Sequence, residues 1–269
     1  MGQYTPTDRE IDVTTPSVAR MYDWLLGGTD NYASDREACD HLLRIAPSSK
    51  ELALTNRAFL RRVVRFLAEE RGIRQFIDHG SGLPTQDNVH QIAQQAHPRA
   101  RVVYVDNDPI VLAHGRTMLE ENAQTAVLCA DMCETDYIFG HSDTKRLIEP
   151  TEPTAALFVS VLHCLSDDKE PAALLRDVAS RLAPGSFMVV CQLVSDDRAV
   201  RDGVTNLMAT ATGGRWGRVR SKAEVTEFLR DWTPVEPGLV EVSQWRPDSQ
   251  PTVWKQGNEW EEWGGVVAL

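Results

Sequence analysis

No apolar run in this chain approaches the ~18 residues that a membrane-spanning helix requires. The opening segment, Met1 to Asp12, is polar and has no apolar stretch of the secretory-signal kind; Pro6 stands where a myristoylation signal after Gly2 needs Ser or Thr. Cysteine is sparse. Five residues (Cys39, Cys129, Cys133, Cys164, Cys191) make an odd set without a C-x-x-C pair, and most lie in apolar runs, which fits reduced, buried thiols and no disulfide framework. The seven histidines are scattered, and Cys129 with Cys133 has no histidine at ligand spacing, so no metal site is expected. Positive charge is short as well. With 28 basic against 39 acidic residues the formal charge is −11, and the molecule as a whole repels phosphate polymers. Charge runs, low-complexity tracts, repeats and long linkers are missing too. These absences together predict a cytoplasmic protein of one domain with neither nucleic acid nor membrane as partner, and they carry no signal for an oligomeric state.

What is present is 269 residues, 42% of them hydrophobic, enough to bury a sizeable core. Thr15 and Pro16 suit a helix start, and Val18, Met21, Tyr22, Leu25 and Leu26 recur at helical spacing until Gly27-Gly28 stops them. A second helix is predicted from about Ser34 to Ile45, broken at Pro47, and a third from about Ser49 to Glu70. Residues 1–72 thus read as a helical N-terminal extension or lid, and 73–269 as the core. From Gln75 short apolar runs alternate with helices: Phe76 to Asp78, helix from Gln86, Arg101 to Val105, helix from Pro109, Ala126 to Cys129, Ala155 to Leu162, helix from Glu170, Ser186 to Val194. Uninterrupted apolar strands alternating with helices indicate a parallel sheet covered on both faces, and right-handed crossovers make it doubly wound. Ser221 to Glu224 has capping-box spacing and opens a helix through Trp232; Leu239 to Gln244 and Gly264 to Ala268 read as final strands.

Three strand ends carry chemistry. Phe76-Ile77-Asp78-His79-Gly80-Ser81-Gly82 places an acid and two glycines at a carboxyl edge, where open α/β sheets bind ligands. Thr85 occupies the place of a third fingerprint glycine, and Asp78 would repel a pyrophosphate, so a dinucleotide is poorly served and an ammonium-bearing ligand better. A ligand-free tight turn is the competing reading. The second strand ends in Asp106-Asn107-Asp108, where Asp106 suits both hydroxyls of a ribose and Asp108 suits capping of the next helix. The third ends in Asp131-Met132, an acid for an exocyclic amine followed by a backbone N–H for a ring nitrogen, or else a helix cap.

The order of loop, ribose acid and adenine acid resembles class I S-adenosylmethionine-dependent methyltransferases. More narrowly, Pro16-Ser-Val-Ala-Arg-Met-Tyr-Asp-Trp-Leu-Leu-Gly-Gly-Thr-Asp-Asn-Tyr32, Phe76-Ile-Asp-His-Gly-Ser-Gly-Leu-Pro-Thr-Gln-Asp-Asn88 and Val103-Tyr-Val-Asp-Asn-Asp-Pro109 resemble the actinobacterial S-adenosyl methyltransferase family formerly known as the domain of unknown function DUF574. The resemblance spans Thr15 to about Trp245. It implies a seven-stranded, mostly parallel Rossmann-like sheet with an antiparallel last strand, and S-adenosyl-L-methionine as cofactor. The expected cofactor contacts are Asp78, Gly80, Gly82, Asp106, Asn107, Asp131, Met132, Ser160, Tyr22 and Asn31.

The acceptor side is less legible. Methyl transfer depends mainly on proximity and a dry site, and a general base is optional. His163, after the fourth strand, is the one titratable candidate for that base; a ring packed under the sheet rim or bonded to backbone is the other reading. The loop Gly27 to Tyr32 is read either as a lid, with Tyr22 offering cation-π attraction to a sulfonium, or as a plain helical turn. Trp216 among its glycines is either a pocket wall or a surface tryptophan. The expected activity is methyl transfer to a small-molecule acceptor. Its rivals are a sensor that binds the cofactor without turnover and, less favoured by Thr85 and Asp131, an NAD-dependent oxidoreductase.

Overall fold

A computed structural model describes residues 12–84, 87–119, 122–248 and 259–269. Helices α1 (Val18–Leu25), α2 (Ala33–Ile45) and α3 (Ser49–Glu69) come first. The alternating part follows as β1 (Gln75–His79), α4 (Val89–Ala96), β2 (Arg101–Asp106), α5 (Pro109–Met118), β3 (Thr125–Cys129), α6 (Thr135–Gly140), α7 (Ser142–Leu147), β4 (Ala155–Val159), α8 (Pro171–Ser180) and β5 (Phe187–Val194). Helices α9 (Arg198–Ala211) and α10 (Lys222–Phe228) precede the short strands β6 (Thr233–Pro234) and β7 (Val240–Glu241) and the long β8 (Glu261–Ala268).

The sheet runs β3-β2-β1-β4-β5-β8-β6, with β7 also paired to β8. Strands β1 to β5 are parallel, while β8 is antiparallel to β5 over Phe187↔Ala268 to Val194↔Glu261. This is the doubly wound, mostly parallel sheet with an antiparallel last long strand that the sequence implies. It has eight strands among the described residues rather than seven, because the two-residue β6 follows Trp232, where the sequence reading ends its helix and assigns no strand. Strand β8 also begins earlier than Gly264, and α10 stops at Phe228. A helix expected from Gln86 begins at Val89; Thr85 and Gln86 lie outside the described residues.

Period-two alternation sends the side chains of each strand to two cores. Phe76, Val102, Tyr104, Leu157, Val189, Cys191 and Val266 meet α3 and α4 residues such as Phe59, Val63 and Ile92 on one face. Phe158, Met188, Val190 and Val267 meet Leu174, Leu175 and Val178 of α8 on the other. A third cluster joins α1, α2 and α9 through Met21, Leu25, Cys39, Leu42, Val204 and Met208, with Trp216 and Trp260. That cluster caps the carboxyl edge of the sheet.

Candidate functional site

The chain crosses from one half of the sheet to the other between β1 and β4, and this topological switch point is where open sheets of this kind bind ligands. Gly80, the turn after β1, has φ +70°, and a Cβ there would lie 2.2 Å from Val161 Cγ2. Gly82 has φ +66° with open space where its Cβ would stand. The loop therefore needs glycine for its backbone at both positions and for close packing at the first. Its N–H at Gly82 donates to Asp106 Oδ2 (2.8 Å), and the other Asp106 oxygen accepts from the Asp108 N–H (2.9 Å). Asp108 in turn caps α5 by accepting from the Ile110 N–H (2.9 Å). Asp106 is thus aimed by the loop, and Asp108 is committed to the helix. Asn107 between them is exposed.

On the flanks, Asp131 Oδ1 accepts from the Cys133 N–H (2.9 Å), and Met132 is buried with its Cε near the Gly80 turn. Ser160 follows β4 at φ +56°, and its hydroxyl donates to Glu262 of β8. Burial pushes the Asp78 carboxyl up to about 7 against the pull of the Arg57 guanidinium, and burial likewise pushes Asp106 up to about 6. Two acids in one cleft, each held above its ordinary range by burial, favour a cation beside them.

Helix α1 closes this cleft from above. Ser17 donates to Asp108, Ala19 packs on Leu83, Ile110 and Val111, and the Tyr22 hydroxyl donates to the Ala53 carbonyl (3.1 Å) while accepting from Asn56 Nδ2 (2.9 Å). The following loop is braced from within. Asp23 Oδ2 accepts from the Asp30 N–H (2.9 Å) and from Asn31 Nδ2 (2.8 Å), and Asn31 Oδ1 accepts from Arg36 (2.9 Å). With its amide engaged on both sides, the Asn31 side chain acts on the cleft by shaping this loop. Asp35 ties the two helices together by accepting from the N–H groups of Ser17 and Tyr32 and pairing with buried Arg20 at 3.0 Å.

His163 lies in the 3-10 turn Leu162–Cys164, 3% exposed, with its ring 4.8 Å from that of buried Trp216. Its Nδ1 accepts the Leu193 N–H (3.3 Å), so the proton of the neutral ring sits on Nε2 and no lone pair is left to receive another. Burial, with Arg220 nearby, depresses it to about 3. This is the geometry of a packed histidine that joins the β4 turn to β5, not that of a general base. Arg220 steadies the same turn, donating to the carbonyls of Leu162 (3.0 Å) and Leu165 (2.8 Å).

Several residues of the cleft escape sequence reasoning. Asn56 and Arg57 of α3, Cys191 of β5 and Glu262 of β8 converge on it from elements remote in the chain. A signal for Glu262 was there: period two read back from buried Val266 through Gly264 places residue 262 on the inward face.

A family model described as S-adenosyl methyltransferase matches residues 4–269. The chain belongs to this family. It is similar to a protein of Thermobifida fusca YX described as a putative methyltransferase, with 40% identity over 96% of each chain and a TM-score of 0.88. It is also similar to a DUF574 family protein of Streptomyces avermitilis MA-4680, with 33% identity over 96% of this chain and 99% of that one and a TM-score of 0.88. The plantazolicin methyltransferase BpumL, at 11% identity, 93% and 95% coverage and a TM-score of 0.52, shares the fold. No curated protein matches. As a member of the family the chain is an S-adenosylmethionine-dependent methyltransferase. The described residues include no helix long and apolar enough to cross a membrane and no cluster of three or more His, Cys, Asp or Glu fit for a metal.

The cleft suits that cofactor chemically. Ribose hydroxyls are donors, and the Asp106 carboxylate, with about four lone-pair sites, keeps acceptor capacity beyond the backbone N–H groups of Gly82, Asn107 and Asp108. A cationic ligand supplies the charge that Asp78 and Asp106 lack, and Gly82 leaves room for it over the loop.

Proposed function

We propose that the enzyme methylates a small molecule in the cytoplasm, with the cofactor held along the carboxyl edge of β3, β2 and β1. Asp131 would take the adenine amine with the Met132 N–H beside it, Asp106 the ribose hydroxyls next to Asn107, and Asp78 the ammonium end of the methionine moiety across the Gly80–Gly82 turn. Ser160 borders the methionine end, and the Tyr22 ring faces it from α1. Bound there, S-adenosylmethionine supplies an electrophilic methyl group. The protein's part is to orient, to exclude water through the cap of α1 and α2, and to counter the positive charge. A capped cleft under helices favours a compact acceptor over a polymer, and the net charge of −11 weighs against nucleic acid.

The observation that carries this reading is Asp106, fixed on both oxygens by backbone N–H groups beside a glycine turn. Calorimetry with S-adenosylhomocysteine tests it. Asp106→Asn is expected to weaken binding at least about tenfold, or about 1.4 kcal/mol, because charged bidentate acceptance is lost while the side-chain shape remains. Unchanged affinity would refute the ribose assignment. Tight binding by the wild type without transfer of labelled methyl to any cell-extract component would favour a sensor instead.

A further inference from the structure

The cleft holds a third acid, buried, that the cofactor reading does not use. Glu262 is 2% exposed and sits on β8, yet its Oε1 accepts the hydroxyl proton of Ser160 at the end of β4. Strand β5 lies between those two strands, so the side chain reaches over the end of β5 toward the switch point. Its other oxygen, Oε2, is buried and has no hydrogen-bond partner among the described residues. Such an oxygen is costly unless something else occupies the space before it.

The neighbours form a polar chain leading to the same place. Tyr22 of α1 bonds Asn56 of α3, and Asn56 Oδ1 lies 3.2 Å from Cys191 Sγ of β5, whose thiol also contacts Glu262. The Cys164 thiol, in the turn after β4, is raised to about 12 by burial and then by the charges of both Asp106 and Glu262. Ser160, which holds Glu262, follows β4 directly beside β1, so the β8 acid is brought to the same edge of the sheet as the glycine turn and Asp106. Two residues before Glu262, Trp260 is buried with its indole N–H unpartnered.

We propose that Glu262, held by Ser160, is the general base of the transfer, and hence that the acceptor is a neutral molecule methylated on an O–H or N–H group. The acceptor's lone pair forms the bond to the methyl carbon as the carbon–sulfur bond breaks, and that electron pair stays on sulfur, turning sulfonium into thioether. The acceptor's proton passes to Glu262 Oε2. An anionic acceptor would have no proton to give and would meet three acids in the cleft.

Burial, with Glu241 of β7 adding repulsion, pushes the Glu262 carboxyl up to about 8, while Ser160 and Cys191 pull it down. Tyr22 and the thiols of Cys164 and Cys191, which also lie near it, are themselves pushed up and stay neutral; Glu241, and Asp78 and Asp106 across the cleft, are the acids around it. Near neutral pH Glu262 is therefore mostly protonated until a cation arrives. A sulfonium several ångströms away, at an effective dielectric of about 20, is enough to lower an acid by about one pKa unit or more. The methyl donor arms the base, and its spent form does not.

This inference rests on the cofactor reading above, and one experiment separates the two. Binding of S-adenosylmethionine and of S-adenosylhomocysteine is titrated calorimetrically at pH 7.5 in two buffers of different ionisation enthalpy. The sulfonium ligand is expected to release roughly half a proton more than the thioether. In E262Q that excess should fall by at least half, any remainder coming from Asp78, while thioether binding reports an intact fold. An excess that is the same in E262Q, or none in the wild type, overturns the base while leaving the cofactor site standing; failure of the wild type to bind either ligand overturns both. Should E262Q not fold, infrared difference spectra of the wild type decide. Loss of a protonated-carboxyl band with S-adenosylmethionine but not with S-adenosylhomocysteine supports the proposal, and no loss overturns it.

Discussion

Burial moves the ionisation of the acids Asp78, Asp106 and Glu262 to higher pH and the protonation of the bases His79 and His163 to lower pH. His79 shows the second case most clearly: fully buried, it is stacked on Phe158 with centroids 4.4 Å apart, and it is depressed to about 3. The two sets pull stability in opposite directions with pH. A histidine whose pKa falls from 6.5 to about 3 on folding makes stability rise with pH across that window, because the unfolded chain binds the extra proton. Acids raised from 3.8 to about 6 and about 7, and from 4.5 to about 8, make stability fall with pH, because there the folded chain holds the extra proton. Below pH 6.5 the contributions oppose each other. Between about pH 6.5 and about pH 8 only the acids Asp78 and Glu262 still titrate. The thermal midpoint of the ligand-free protein is expected to drop across that interval, and less steeply in E262Q; a flat profile in the wild type would show that these carboxyls ionise freely.

At the scale of elements, the cap of α1 and α2 depends on a single carboxylate. Asp35 is fully buried and receives Ser17, Arg20 and Tyr32, so Asp35→Ala leaves the Arg20 guanidinium unpaired and two N–H groups without an acceptor. The expected loss is about 3–5 kcal/mol, confined to the cap. Hydrogen exchange should accelerate over residues 17–45 while β1 to β5 stay protected; uniform acceleration would mean that the cap and the sheet unfold together. The cap was legible in the sequence because its helices are strongly periodic and bounded by Pro16, Gly27-Gly28 and Pro47, and their ends differ from expectation by one or two residues. Helix α9 was not, although Val200, Val204, Leu207 and Met208 carry the right spacing. Gly203, Thr205, Asn206 and Thr210 are weak helix formers there, and tertiary packing on α2 overrides them. The acids at the carboxyl ends of strands, Asp78, Asp106 and Asp131, were visible from local pattern alone. For Glu262 the period of two marks the buried face but not the place in the cleft, since its partner Ser160 is 102 residues away and only sheet pairing brings them together.

For the molecule as a whole, the charge of −11 and the cluster of acids at one edge favour a cation in approach as well as in the bound state. Raising salt from about 0.05 M to about 0.5 M shortens the screening length several-fold. S-adenosylmethionine, which carries one more positive charge than S-adenosylhomocysteine, should therefore lose affinity several-fold while the thioether loses little. Equal losses would place the discrimination within short-range contacts alone.

Strand β8 slots between β5 and β6, and it is translated after every strand it joins. Until it enters, the parallel part of the sheet already has its glycine turn and the acids of β1 and β2, but Ser160 has no carboxylate to hold. In chain order, therefore, the elements assigned to gripping the methyl donor come first, and the carboxylate proposed to draw off a proton is the last part of the cleft to leave the ribosome.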